Sequence, residues 1–98
     1  MNNMEFDKFV LVIIEPNDKK VRIFTDFESA IQDYWSEIGF RVWQHIRKGD
    51  FDVSIWRSEK KAIVDIVRER FGDVNVHVFQ SILIEDVETY IALVGILR

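Results

Sequence analysis

The sequence contains no cysteine, one proline, four glycines and two histidines among its 98 residues. The absence of cysteine excludes disulfide bonds, thiolate zinc sites and cysteine nucleophiles, and it fits a reducing compartment. The glycines are isolated from one another, so none forms a loop that could cradle a phosphate group. The two histidines, His45 and His77, are not spaced as ligands of one metal ion. We therefore expect no cofactor, no metal and a cytoplasmic location.

The chain also lacks a long hydrophobic run. No stretch approaches the eighteen or so apolar residues of a membrane-spanning helix. The start, MNNMEFDKF, lacks the basic segment followed by an apolar one that marks a signal peptide. Hydrophobic residues nevertheless make up 48% of the chain and aromatic residues 13%, which is enough for one core. We expect a single α+β domain over residues 1–98 that does not enter a membrane.

Positive charge is scarce and unevenly placed. The net charge is −4. Residues 1–40 carry four basic against eight acidic side chains, residues 41–72 eight against five, and residues 73–98 one against four. Binding to duplex nucleic acid draws most of its affinity from a concentrated basic face. The acidic balance argues against direct nucleic-acid binding and favours a basic protein partner.

The first 24 residues predict a β-hairpin. Residues 8–15, KFVLVIIE, form a short apolar run that is typical of a strand buried on both faces. The next four residues, PNDK, are turn formers. Residues 20–24, KVRIF, alternate as the returning strand does.

A long helix is predicted to follow the hairpin. Thr25 and Asp26 are candidate N-caps, and Thr25 with Glu28 matches a capping box. Apolar residues then recur at helical spacing, which predicts one helix over about 26–48. The alternative is a break in the middle, with 40–47 forming a strand.

The second half of the sequence predicts alternating strands and one helix. Residues 51–56 read as a strand, 59–71 as a helix, 74–79 as a strand, and 82–97 as further strand around an acidic turn at 85–88. A strand, a helix and a strand in close succession predict a parallel pair with a right-handed crossover. The predicted order is ββαβαββ, a mixed sheet of about five strands with two helices packed on it.

Two tryptophans flank a glycine on the first predicted helix. Trp35, Gly39 and Trp43 fall at positions i, i+4 and i+8, so they lie along one side of the helix. The shallow recess at the glycine could accept a partner's side chain, and tryptophan is enriched among residues that dominate binding energy. The alternative is that both tryptophans are buried against the sheet. The cations near Trp43 diverge around the helix axis, which disfavours stacking of nucleic-acid bases there.

Carboxylates form two groups. A rigid row of carboxylates can mimic nucleic-acid phosphates or occupy a basic cleft, whereas the simpler explanation is a solvated helix face and an ordinary turn. The residues predicted to bind a partner, one group on the first helix with the two tryptophans and one group in the last turn, are Asp26, Asp33, Glu37, Trp35, Trp43, Glu85, Asp86 and Glu88.

Signals for catalysis are weak. His77 could act as a general base on a sheet face, or it could be a half-exposed packing residue. Asp52 with Glu59 and Lys61 is weakly similar to the arrangement of metal-dependent nucleases, in which two carboxylates hold Mg²⁺. That arrangement requires the last two residues inside a strand, whereas here they open a helix, where glutamate is favoured by the helix dipole. We expect no catalytic residues.

The C-terminal segment TYIALVGILR is strongly apolar and β-forming. On the edge of a sheet it would pair with another chain and form a homodimer, whereas at the centre it would be core.

These observations predict a small acidic protein-binding module without catalysis. Its most concrete form is an inhibitor, of the immunity-protein, antitoxin or phage anti-defence type, that occludes a basic partner such as a nuclease. One alternative is a homodimeric structural or small-molecule-binding domain. Another is a small enzyme with a site around His77.

Overall fold

The computed structural model describes residues 5–48, 53–55 and 60–98, without the side chains of residues 45–48, 53–55, 60 and 86. Within these residues the chain forms one antiparallel sheet and two α-helices. The elements are β1 (Phe6–Glu15), β2 (Asp18–Phe24), α1 (Phe27–Lys48), β3 (Val53–Ile55), α2 (Lys60–Phe71), β4 (Val76–Ile84) and β5 (Thr89–Leu97). None of the described helices is long and apolar enough to cross a membrane.

The strands lie in the order β2-β1-β5-β4-β3, and every neighbouring pair is antiparallel. The α+β class and the two helices are confirmed, whereas the predicted mixed sheet is wrong. Four strands of seven to ten residues carry the sheet, and β3 adds three described residues at one side. Counted by full-length strands, the sheet has four rather than about five, and the order is ββααββ rather than ββαβαββ.

The predicted parallel crossover is wrong, because α2 continues in the direction of β3 and does not return to the level at which β3 starts. Ile55, at the end of β3, lies opposite Ile82 of β4. The chain re-enters the sheet at Val76, which lies about 20 Å further along in the same direction. Helix α2 has twelve residues and is about 18 Å long. It therefore spans this distance in one pass, and β4 returns antiparallel.

Each face of the sheet packs against one helix. On one face, Phe9, Leu11 and Ile13 of β1 pack with Tyr34 and Ile38 of α1. On the other face, Val10 and Val12 pack with Ile63 and Val67 of α2. Residues 9–13 of β1 are at most 1% exposed, so the predicted burial of this strand on both faces is confirmed. Burial on both faces explains why its sequence is a continuous apolar run instead of an alternating one.

Strands β4 and β5 correct two predictions. The sequence pattern separated a strand at 74–79 from the segment at 82–84, but one strand, β4, runs from Val76 to Ile84, and a register shift between Val78 and Gln80 accounts for the broken alternation. Strand β5 pairs with β1 on one side and with β4 on the other. The C-terminal strand is therefore central, and it offers no free edge to a second chain.

Helix α1 begins at a cap that differs from the predicted capping box. The carboxylate of Asp26 accepts hydrogen bonds from the Ser29 backbone N–H at 2.8 Å and from the Ser29 hydroxyl at 3.0 Å. Asp26 is thus the N-cap. The helix continues through Gly39 to Lys48, so the alternative of a strand at 40–47 is wrong. At the end of α2, Gly72 has φ +84° and donates to the Arg68 carbonyl at 2.9 Å, which is the usual arrangement of a glycine that ends a helix.

Several predicted features lie outside the described residues: the ends of the 51–56 strand, the Asp52 and Glu59 pair, and the side chains of His45 and Asp86.

Candidate functional site

Helix α1 has one buried side and one strongly aromatic outer side. Tyr34 is fully buried and Ile38 is 8% exposed. On the outer side, Trp35, Phe40 and Trp43 are 53%, 58% and 55% exposed. Such large apolar side chains are usually buried. The alternative in which both tryptophans are buried against the sheet is therefore wrong.

Small and neutral side chains separate these aromatic residues. At Gly39 the space that a Cβ atom would occupy has no other atom within 4 Å, apart from the local helix backbone, so the helix surface is open between the two tryptophans. We call this surface the aromatic face of α1, and its residues are Gln32, Trp35, Ser36, Gly39, Phe40 and Trp43. The indole of Trp35 makes an edge-on contact with the ring of Tyr34, with centroids 5.2 Å apart, which anchors it at the margin of the core.

Arg22 of β2 binds two of the predicted partner-binding carboxylates. Its Nη1 donates to Asp33 Oδ2 at 2.8 Å, and its Nη2 donates to Glu37 Oε1 at 3.1 Å. Strand β2 places Arg22 on the α1 face of the sheet, opposite Leu11 of β1. The helix places Asp33 and Glu37 one turn apart. One planar guanidinium therefore bridges both carboxylates.

The bridge is part of a longer ion-pair network. Arg41 donates from Nη1 to Glu37 Oε2 at 3.0 Å, and its Nη2 lies 4.0 Å from Glu15 Oε2. The other oxygen of Glu15 lies 3.0 Å from Lys20 Nζ. Three cationic side chains thus alternate with three carboxylates along the β2 side of α1. The network has no net charge, so these carboxylates do not form a free acidic row.

The network changes the protonation of its members. Burial by itself raises the pKa of Glu37, but the hydrogen bond and charge of Arg41 and the charge of Arg22 outweigh this effect, so that the pKa lies below its ordinary value. The hydrogen bond to Asp33 is the main reason why the pKa of Arg22 is raised. Both shifts favour the charged forms at neutral pH.

The remaining predicted carboxylates lie on separate elements. Asp26 is occupied as the N-cap of α1. Glu85 and Glu88 are exposed in the connection between β4 and β5, which contains a 3₁₀ turn over Glu85–Val87. Glu88 has φ +49°, and its N–H donates to the Glu85 carbonyl at 3.1 Å. Asp26 therefore caps a helix, and Glu88 closes a turn through its backbone, so both predicted site residues have a local structural role.

His77 packs against aromatic rings. Its ring lies 4.7 Å from that of Phe79 and 6.2 Å from that of Phe6, measured between centroids. It lies opposite Gly95 of β5. In the part of the chain that the structure describes, no group of three or more histidine, aspartate or glutamate side chains is placed to hold a metal ion. These contacts fit the simpler interpretation, in which His77 is a packing residue on the sheet.

A separate cleft lies between α2 and the sheet. It has a volume of about 350 Å³, which is at the lower limit for small-molecule pockets. Ile14, Ile63, Ile66 and Tyr90 contribute its apolar lining. The apolar lining of this cleft favours the alternative of a small-molecule-binding domain.

Comparisons with protein-family models, with curated proteins and with solved structures find no match to this chain.

Sequence reasoning missed Arg22, Arg41 and Phe40. Phe40 could have been found, because it is a large apolar residue outside the core register of Tyr34 and Ile38. Arg22 interrupts an apolar strand between Val21 and Ile23, which indicates that it has a polar partner on a neighbouring element. Only the tertiary structure shows that its partners are two carboxylates of α1.

Proposed function

We propose that the protein is a non-catalytic protein-binding module whose contact surface is the aromatic face of α1. The observation that carries the proposal is the exposure of three large aromatic side chains, each more than half accessible, on one helix surface. Contiguous exposed apolar patches mark interaction sites in soluble proteins. Tryptophan contributes to such sites a large, rigid contact area.

The absence of charge along this surface defines the partner's chemistry. The aromatic face carries no acidic or basic residue from Gln32 to Trp43. The charged side chains in this part of α1, Asp33, Glu37 and Arg41, bond within the network on the β2 side. An exposed helix ordinarily carries charges on its outer face. We infer a partner surface that is apolar and uncharged at its centre.

The narrower hypothesis is an inhibitor that occludes a basic partner such as a nuclease. The net charge of −4 supports it, as do the exposed carboxylates of Glu28, Glu85 and Glu88. Because Arg22 binds Asp33 and Glu37, a basic partner would have to compete with it for those two residues. Arg22→Met should therefore strengthen salt-sensitive binding to such a partner.

The test is affinity capture by the tagged protein from its native cells, compared between variants and salt concentrations. Trp35→Ala with Trp43→Ala removes the two indoles. Leu97→Ala is the matched control, because Leu97 is 36% exposed and lies at the end of the central strand β5, paired with Phe6 of β1. Salt screens interactions between exposed charges but not apolar contacts. We therefore expect a partner that stays bound at about 1 M NaCl and that is lost only with the tryptophan variant.

The other outcomes distinguish binding through the aromatic face from electrostatic inhibition of a basic partner. A partner that is released by salt and held by the tryptophan variant would support the electrostatic inhibitor and contradict the aromatic contact surface. A partner that is retained in both cases would show that binding uses another part of the chain.

A further inference from the structure

We propose that the occupant of the aromatic face of α1 is a second copy of this chain, with the two α1 helices antiparallel and crossing at Gly39. The inference rests on the proposed function and names the partner of the same surface.

The spacing of the aromatic residues suits a two-fold axis through Gly39. Trp35 and Trp43 lie four residues before and four residues after Gly39 on the same side of the helix. If two antiparallel helices cross at Gly39, Trp35 of each copy lies opposite Trp43 of the other. A symmetric contact of this type uses the same patch on both subunits. The two indole pairs would flank the crossing on both sides.

Gly39 allows the helices to approach closely. The position of its missing Cβ is open space, and the helix surface there is exposed. Packed helices lie about 8–10 Å apart, depending on the side chains at the contact. A glycine at the crossing, with Ser36 nearby, permits the short end of this range. The longer indoles can then contact the facing helix on either side.

Charge favours a second copy over a charged partner. Two chains that each carry −4 repel when their charges meet. Between Gln32 and Trp43 the aromatic face carries no charged side chain, since the charged residues of this stretch, Asp33, Glu37 and Arg41, are paired on the β2 side. Contact through this face keeps the charges of the two copies apart. It needs no complementary charge, which a symmetric contact cannot provide at its axis.

The exposed area matches the hydrophobic centre of a small dimer. An aromatic side chain buries about 150–250 Å² in a core. The exposed fractions of the three aromatic residues leave roughly 250–400 Å² of aromatic surface per copy. A specific interface buries about 600–1,000 Å² per partner, so the aromatic residues would form its centre and neighbouring polar residues its rim.

The β2 edge of the sheet is less suited to self-association. Strand β5 is internal. Strand β2 is at one edge and carries Lys19, Lys20 and Arg22. Two β2 edges would bring these cations together, and lysine on an edge strand opposes pairing.

The first experiment measures mass in solution by sedimentation equilibrium over a range of concentrations. We expect the wild-type chain to form a dimer with a dissociation constant on the order of micromolar. Gly39→Lys should weaken the dimer at least tenfold while retaining the folded circular dichroism spectrum, because the site is open in the monomer. Asn75→Lys adds the same charge at an exposed position between α2 and β4 and should leave the dimer intact.

Cross-linking tests the geometry, and the absence of cysteine makes single-cysteine variants unambiguous. Gly39→Cys should form a disulfide-linked dimer under mild oxidation, since the two positions meet at the crossing. Gln32→Cys is the matched control on the same exposed face. In an antiparallel pair its two copies lie about 21 Å apart along the helix axes, so it should not cross-link.

Two outcomes would overturn the inference. A wild-type chain that stays monomeric at several hundred micromolar refutes self-association, although the tryptophan-dependent capture experiment would still decide the proposed function. A dimer that survives Gly39→Lys, or that cross-links equally through Gln32→Cys, shows association through another surface or another arrangement.

Discussion

The guanidinium of Arg22 on β2 donates to the carboxylate of Asp33 on α1 across 2.8 Å. This bond joins the second strand of the hairpin to the first helix. Together with the bond from Arg22 to Glu37, it holds these two carboxylates on the β2 side of α1. Between Gln32 and Trp43 the outer side of the helix is left to uncharged and aromatic residues. The same contact thus neutralises one candidate surface and defines the other.

Removing Arg22 should destabilise the fold. Arg22→Met keeps the length of the side chain but leaves Asp33 and Glu37 without their shared cation. Since Arg22 is 39% exposed, we expect a loss of only about 1 kcal/mol in the free energy of unfolding, measured by urea denaturation. Lys20→Met is the matched control. It removes a single ion pair to Glu15 from a side chain that is 45% exposed and should cost less than about 0.5 kcal/mol. Equal losses in the two variants would argue against the bridging role.

Lowering the pH should reduce the stability of the fold, in part because Glu37 becomes protonated. The pKa of Glu37 is lowered below 4.5 in the folded state. Its contribution to stability is therefore fully present above about pH 4.5 and is lost as the pH falls through the folded-state value. Glu37→Gln should be less stable than the wild type at pH 6, with a gap that narrows towards pH 3. Urea midpoints at pH 6, 4.5 and 3 measure this gap. A gap independent of pH would mean that the charge of Glu37 does not stabilise the fold.

Tyr34 should be replaceable by phenylalanine. The side chain is fully buried, and its hydroxyl has no hydrogen-bond partner in the described residues. A buried hydroxyl without a partner destabilises the folded state by about 1–3 kcal/mol. Tyr34→Phe should consequently leave the melting temperature unchanged or raise it. A clear decrease would contradict the isolation of this hydroxyl.

The same variant should alter stability at alkaline pH. Burial raises the pKa of Tyr34 from 10.0 to about 12. The neutral phenol is therefore favoured in the folded state, and the wild type loses stability as the pH rises from 10 towards 12. Tyr34→Phe lacks this contribution, so its melting temperature should fall less over the interval. Parallel melting curves at pH 9, 10 and 11 test the expectation, and identical slopes would refute it.

Two glycines should respond in opposite ways to alanine. A Cβ at Gly95 would lie 2.6 Å from Phe6 Cδ1 and 2.9 Å from Phe79 Cε2. These rings pack against each other with centroids 5.3 Å apart, so Gly95→Ala should cost about 1–3 kcal/mol. Gly39 is open and lies within α1, where alanine is favoured over glycine by about 1 kcal/mol. Gly39→Ala should raise the melting temperature in dilute solution. The prediction fails if Gly95→Ala is as stable as the wild type.

Replacing Glu88 with glycine should stabilise the fold. Its φ of +49° lies in the left-handed region, which costs a residue with a side chain about 1–2 kcal/mol. Glu88→Gly should gain up to about 1 kcal/mol after the greater flexibility of unfolded glycine is subtracted. Glu85→Gly in the adjoining 3₁₀ turn serves as the control and should not stabilise. Denaturant midpoints compare the two variants.

Local signals in the sequence determined where the helices and strands lie. The run from Phe9 to Ile14 is apolar throughout because β1 is buried on both faces. Asp26 precedes α1 because its side chain can bond the first free N–H groups of the helix, and Gly72 follows α2 because glycine adopts a positive φ there without steric cost. The spacing of Trp35, Gly39 and Trp43 fixed their common side of the helix. These properties depend on residues within a few positions of one another.

Only the tertiary structure decided how these elements combine. The antiparallel direction of β3 and β4 follows from the path of α2, for which the sequence has no local signal. The exposure of Trp35 and Trp43 depends on which side of α1 meets the sheet. The loss of the acidic row depends on Arg22, which is eleven residues from Asp33 along the chain and reaches it only after the hairpin and the helix pack together. Such long-range contacts set which charges remain available, and so determine where the molecule can bind a partner.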